Sequence, residues 1–211
     1  MHFSLTTLKR VAAVLSFHFH NPKVVLLGKG MLNNIHCECR GGGNTLHIEA
    51  GASLTDCRIF FKGNVNHVHI SSGSHLNNIT FWCEGDNNRI EIGGAVSMEG
   101  DVELDACEGQ SIVIGDGCML SHDIAFRTTD SHSIIDVHGK RINPAKDIVI
   151  GKHVWIGVEC MILKGSTIPD NCIVGAKSLV SSSLDARENS LIAGNPARVI
   201  KENINWCREL L

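Results

Sequence analysis

The chain has 211 residues, 43% of them hydrophobic, and a formal net charge of −3. That allows one well-buried domain with a small appendage, and it offers no field for nucleic acid and no polybasic membrane patch. Tyrosine is absent and aromatic residues make up 5%, as a thin core with little room for large rings would require.

Taken in order, the chain opens with Lys9 and Arg10 ahead of the apolar run Val11–Leu15. The run is too short to span a bilayer, and His18 and His20 interrupt where a secretory signal would continue to its cleavage site. Residues 1–20 are expected to form a capping helix, over about 5–17, with a cap at Ser4–Thr6 and an apolar face of Leu5, Leu8, Ala12 and either Leu15 or Ala13. Such a cap covers the open end of a repetitive fold. Membrane contact is expected to be peripheral at most.

A repeat follows. LHIEAGASL (46–54), VHISSGSHL (68–76), IEIGGAVSM (90–98) and IVIGDGCML (112–120) align, and their central residues Ile48, Ile70, Ile92 and Ile114 stand 22 apart. Leu26 continues the series one step back. From Ile150 the interval becomes six: Ile150, Ile156, Ile162, Ile168, Val174 and Val180. Six matches neither the 3.6 of a helix nor the 2 of a strand. It suits a short straight segment and a turn, three of which close a triangular coil of about 18 residues whose coils pair as parallel strands. The small residue after the aliphatic one (Gly151, Gly157, Gly175) is expected at the corner, where a Cβ would crowd and glycine can take a positive φ. The 22-residue coils are then 18 plus an outward extension at one corner, supplied by the turn-rich pieces 40–44, 62–64, 84–88 and 108–110. Asn33–Asn34 and Asn77–Asn78 are candidates for stacked ladders.

Between the two repeats, residues 127–147 follow no period, and 36 residues, two coils' worth, separate Ile114 from Ile150. A long irregular excursion inside a compact domain points to function. After Val180 the residues 191–200 are expected to form a last partial coil and 201–211 a short helix, with Trp206 and Leu210 over the far end. The nine cysteines are scattered and read as small hydrophobes in a reducing compartment, so a cytoplasmic protein without a metal site is expected.

A filled prism leaves only its outside for chemistry. The 127–147 loop holds Asp130, His132, Asp136, His138, Lys140 and Arg141. His132 is the leading candidate for a base, since histidine titrates near neutral pH, and Asp130 or Asp136 could orient its ring. His138 is the second choice for that role. His122 could reach the same groove, and His153 reads as either a substrate contact or a wall residue.

The hexad stretch, together with Asp130-Ser131-His132-Ser133-Ile134, Gly139-Lys140-Arg141-Ile142-Asn143, 146–157 and Gly194-Asn195-Pro196-Ala197, resembles the hexapeptide-repeat acyltransferases, in particular the polysaccharide and sugar O-acetyltransferases. The resemblance covers about the last hundred residues. It implies an all-β solenoid over 21–200, a left-handed parallel β-helix with short N- and C-terminal helices. It also implies a homotrimer, acetyl-CoA as co-substrate, a saccharide acceptor, and direct transfer with His132 as general base assisted by Asp130. The resemblance places acetyl-CoA along the later coils, with Trp155, Gly157, Gly175, Ala176, Lys177, Arg198 and Lys201 as candidate contacts. His138, Arg141, Asn143 and His153 are the candidate sugar contacts. The 22-residue coils depart from the usual 18 and resemble enzymes acting on capsule, lipopolysaccharide or sialic-acid-containing glycans. The rival expectations are N-acetylation of an amino-sugar nucleotide and a non-transferase solenoid, either a scaffold or a zinc hydrolyase-like relative.

Overall fold

The computed structural model describes residues 18–19 and 24–211. The expected N-terminal helix lies outside the described residues, apart from His18–Phe19, a short strand that pairs with His36–Cys37. The remainder is a parallel β-solenoid of triangular section with three walls.

The first wall stacks Val24–Gly28, Asn44–Ile48, His67–Ile70, Arg89–Ile92, Ser111–Ile114, Ile148–Ile150 and Thr167–Ile168 as seven parallel strands. Ile48, Ile70, Ile92, Ile114, Ile150 and Ile168 are direct partners along it, and each is at most 1% exposed. The hexad residues continue on the other walls: Ile156 pairs with Val174 on the second and Ile162 with Val180 on the third. Each fully buried aliphatic side chain of this kind contributes roughly 1.5–3 kcal/mol relative to exposure.

The register corrects four expectations. First, Leu26 pairs with Leu46, and it is Gly28 that stands opposite Ile48. The first turn between walls is two residues shorter there: Met31 follows Gly28 by three, whereas Ser53 follows Ile48 by five. Second, the 36 residues between Ile114 and Ile150 form one coil and not two, because these residues pair directly and the excursion leaves and rejoins at one corner. Third, the small residue after the aliphatic does not supply the positive φ. His153, Glu159, Asn171 and Lys177, three positions after the aliphatic residue, take φ of 52° to 58°. Gly157 is small because the next coil stacks on it: a Cβ there would lie 2.8 Å from the Ala176 nitrogen. Fourth, the extra residues of the long coils do not simply bulge outward. The third wall is broadened, with five-residue strands His36–Arg40 and Arg58–Lys62 against the three of Met161–Leu163.

The broadened corner holds a polar ladder inside the prism. Asn44, Asn66 and Asn88 are fully buried. Asn44 Oδ1 accepts the Asn66 N–H at 2.9 Å, and Asn66 Oδ1 accepts the Asn88 N–H at 2.9 Å. The side-chain amides of Asn44 and Asn66 donate to the Gly63 and Gly85 carbonyls. A second ladder lines the corner between the second and third walls, where Asn34, Asp56, Asn78 and Asp101 all have positive φ and link in pairs, Asn34 to Asp56 and Asn78 to Asp101. Asn and Asp tolerate that conformation best among non-glycine residues.

At the far end, Ser190–Gly194 forms the expected last partial coil, with Leu191 and Ile192 pairing in parallel with Ile173 and Val174, and the chain then turns back as Ala197–Glu202, an antiparallel strand that makes a closing hairpin. Residues 201–211 are not helical: Asn203 has φ +58°, and so short a segment has little intrinsic helical stability. Trp206 is buried against the side of the prism, stacked on His153 at 4.2 Å with its Nε1 donating to the His153 carbonyl. Arg208 reaches the Ser97 hydroxyl and the Cys118 carbonyl. The tail is thus a strap along the coils, and Leu210 is left exposed.

The nine cysteines form no disulfide, and Cys207 alone is exposed. Burial pushes the thiols of Cys57, Cys107 and Cys118 up to about 11 and that of Cys37 to about 12, which suits core packing and not nucleophilic chemistry.

Replacing Asn66 by alanine strands the Asn88 N–H and the Gly85 carbonyl in the interior. The expected loss is about 1–3 kcal/mol of unfolding free energy, read from urea denaturation. An unchanged midpoint would show that the ladder carries no stability.

Candidate active site

The excursion closes on itself where the Lys146 N–H donates to the Thr128 carbonyl at 3.0 Å. Beyond this neck it is a hairpin: the Ile142 N–H donates to Ile134 O at 2.8 Å and the Asp136 N–H to Lys140 O at 2.9 Å. At the tip the Asp136 carboxylate accepts the N–H groups of His138 and Lys140, a local turn of the kind aspartate forms readily.

The base is tied by side chains. Asn143, 8% exposed, donates from its amide to the Asp130 carboxylate at 2.7 Å and to the His132 carbonyl at 2.8 Å, and its Oδ1 accepts the Ile134 N–H at 2.7 Å. Lys164, from the next coil, pairs with Asp130 and donates to the Asn143 carbonyl. Arg141 forks onto Glu108 at 2.6 and 2.9 Å, and the Thr129 hydroxyl adds a third bond at 2.6 Å. The hydrogen bonds from Arg141, then Thr129, hold the Glu108 carboxyl down at about 2. Those from Lys164 and Asn143 likewise depress Asp130.

His132 lies within this frame. Its N–H donates to the Asp130 carbonyl at 2.7 Å and its carbonyl accepts from Asn143, so its backbone is gripped on both sides. The imidazole is exposed and has no hydrogen-bond partner among the described residues. The expected carboxylate-to-ring contact is not made. Asp130 is engaged by Lys164 and Asn143, and Asp136 by the hairpin tip. Of the expected sugar contacts, Arg141 spends its donors on Glu108 of the preceding coil and on Asn143, Asn143 spends its amide within the loop, and His138 stands exposed at the tip. His153 is at a different corner, between the first and second walls. There it lies under Trp206, with Nδ1 3.1 Å from Asn171 Oδ1.

The expected cofactor contacts form a second group. Trp155 faces outward on the second wall. Gly157, Gly175, Ala176 and Lys177 make the corner between the second and third walls, with Lys177 paired to Glu159 at 3.2 Å. Arg198 and Lys201 are exposed on the closing hairpin. This group and the loop therefore flank the third wall from its two corners.

Sequence reading missed Glu108 and Lys164. A signal was available for Lys164: Phe126 and Ile162 are register partners, so Lys164, two past Ile162, falls beside Thr128, where the loop departs.

No family model matches the chain. Over 109 residues it is 38% identical to the polysialic acid O-acetyltransferase of Escherichia coli O1:K1 / APEC, covering 51% of this chain and 34% of that protein. Over 117 residues it is 35% identical to the polysialic acid O-acetyltransferase of Neisseria meningitidis, covering 55% of this chain and 54% of that protein. The chain thus spans from a third to about half the length of these curated relatives. Among solved structures it superposes on the polySia-specific acetyltransferase NeuO with a TM-score of 0.77 and 32% identity, over 89% of this chain and 79% of that one. The chain belongs to the hexapeptide-repeat, left-handed β-helix acyltransferase family.

Because the Glu108 and Asp130 carboxyls are depressed in the folded state, their contribution to holding the loop is complete above the ordinary carboxylate range of about 4 and is lost as pH falls through the folded values. Amide-exchange protection factors for 132–143 are expected to stay level from neutral pH to about 4.5, then fall toward about pH 2. Glu108→Gln should lower that protection already at neutral pH. Undiminished protection in this variant would remove the ion pair from the account of loop order.

Proposed function

We propose that the chain is an acetyl-CoA-dependent O-acetyltransferase acting on a sugar hydroxyl of a surface polysaccharide or its precursor. The observation that carries the reading is His132, an exposed imidazole on a clamped loop, which the resemblance makes the counterpart of the family's loop histidine. In this reading His132 takes the proton of the acceptor hydroxyl as its oxygen attacks the thioester carbonyl. The tetrahedral intermediate expels CoA thiolate, and the imidazolium returns the proton to sulfur. Direct attack is favoured because the buried thiols with raised pKa values are unsuited to carry an acyl group. Asp130 and Asn143 are positioning residues that hold the histidine backbone and the neck of the loop.

Trp155, Gly157, Gly175, Ala176 and Lys177 would line the acetyl-CoA groove, with Lys177, Arg198 and Lys201 offering cations to its phosphates. They lie at another corner of the prism from His132, so a neighbouring copy is needed to bring loop and groove together, as a homotrimer does. The hairpin supports this: Ile134, Ile135, Val137 and Ile142 are all exposed, Val137 at 95%, an apolar tip that a partner would cover. Among the described residues no helix is long and apolar enough to cross a membrane. The undisulfided thiols favour a cytoplasmic site of action.

CoA release from acetyl-CoA, measured across simple sugars and bacterial polysaccharides, tests the activity. His132→Ala is expected to lower turnover roughly 10²–10⁴-fold, the usual contribution of a general base, with acetyl-CoA affinity little changed. Full turnover in this variant would move the base to another residue. In sedimentation, the native chain is expected to run as a trimer and the double variant Ile135→Asp/Val137→Asp as smaller species. A trimer unaffected by both charges would take the hairpin out of the interface.

A further inference from the structure

The broadened third wall carries a cleft that the loop chemistry does not use. Arg58, Thr80, Glu103 and Ala125 form one outward column of register partners, and Phe60, Trp82, Asp105 and Arg127 form the next. Two adjoining hollows of about 260 and 240 Å³ run along these columns and share Arg58, Thr80 and Glu103. Phe60 and Trp82 line the first, their rings tilted with centroids 5.2 Å apart, and neither side chain is buried. The indole is held from two sides. The Lys62 ammonium sits 3.5 Å from its ring centroid, and its Nε1 donates to Glu84 at 3.0 Å.

The lining mixes flat apolar rings with hydrogen-bonding groups of both kinds. Arg58 and Arg127 donate, Glu103 and Asp105 accept, and Thr80 does both. A pyranose needs this combination, since its C–H faces pack on aromatic rings while its hydroxyl rim pairs with charged and polar side chains. The carboxylates beside the rings oppose a nucleic-acid backbone. The cleft also has a direction. Arg127 pairs with both Glu103 and Asp105, and the chain then enters the loop that bears His132.

We propose that this cleft is a subsite for successive sugar units of the acceptor glycan, so that a polymer lies along the third wall with its reacting hydroxyl at His132. This rests on the reading of the acceptor as a saccharide, and it adds that a chain of several units is recognised through Phe60 and Trp82.

The test uses the full chain in affinity electrophoresis through gels containing polysialic acid or dextran, an acidic and a neutral polymer. Wild type is expected to be retarded by one of them, Trp82→Ala and Phe60→Ala to bind it roughly tenfold more weakly, and Trp82→Phe to keep most of the retardation. CoA release with a single-sugar acceptor should change less than about twofold in Trp82→Ala, whereas KM for the polymer should rise roughly tenfold. Equal retardation of wild type and Trp82→Ala, or none with either polymer, would overturn the subsite, and single-sugar turnover would then show whether acetyl transfer itself still stands. Dissociation of the assembly in Trp82→Ala, seen by sedimentation, would assign this wall to a second copy of the chain and overturn the proposal as well.

Discussion

Everything in this molecule depends on the in-register stacking of one coil on the next. Up to the closing hairpin, strands pair with their equivalents above and below, and each core isoleucine of the first wall rests on the corresponding residue of its neighbours. Slipping one coil by a residue would turn its apolar side chains out to water. Variation in length is therefore confined to corners. The shortened first turn, the broadened coils, the one-residue bulge between Glu99 and Val102 and the whole 127–147 excursion all leave the isoleucine ladder intact. The site is placed by the same constraint, because an irregular segment can depart only where the chain is already turning.

Corners also explain how a loop of mostly polar residues keeps one shape. Its neck lies against the coils on either side, which present a carboxylate, Glu108, and an ammonium, Lys164. Arg141 answers the first and Asp130 the second, and Asn143 joins the two halves. Exposed ion pairs contribute little singly, but this one is forked, supported by Thr129, and continuous with a buried amide. The outcome is that the backbone of His132 is fixed while its ring is left available. That division is what a proton-accepting group on a loop requires.

The broadened coils do more than lengthen the prism. A third wall five residues wide has three outward columns where the three-residue Met161–Leu163 has two, and the added column sets Lys62 and Glu84 beside Phe60 and Trp82, where they hold the indole. The buried asparagines make this width tolerable. Without Asn44, Asn66 and Asn88, the wider turn would leave backbone groups unpaired inside the prism. A polar ladder within the core and the grip of Lys62 and Glu84 on the Trp82 indole outside it are thus two consequences of the same four added residues per coil.

The sequence by itself determined the solenoid, the residues filling its core, the place where the excursion departs and the candidate histidine on it. In a stack of like coils a fixed interval along the chain is also a fixed step in space, so the six- and 22-residue spacings could be read directly as wall and register. It misjudged details that spacing does not encode: which residue turns the corner, how the added residues are shared between strand and turn, and how many coils the 36-residue interval spans. Only the tertiary structure decided that Asp130 holds Lys164 and Asn143 and not the imidazole, that Arg141 is committed to Glu108, and that the tail straps Trp206 onto His153. The physical reason is common to all three. These contacts join the loop or the tail, which follow no period, to coils distant in sequence, and their partners are chosen by the path of the folded chain.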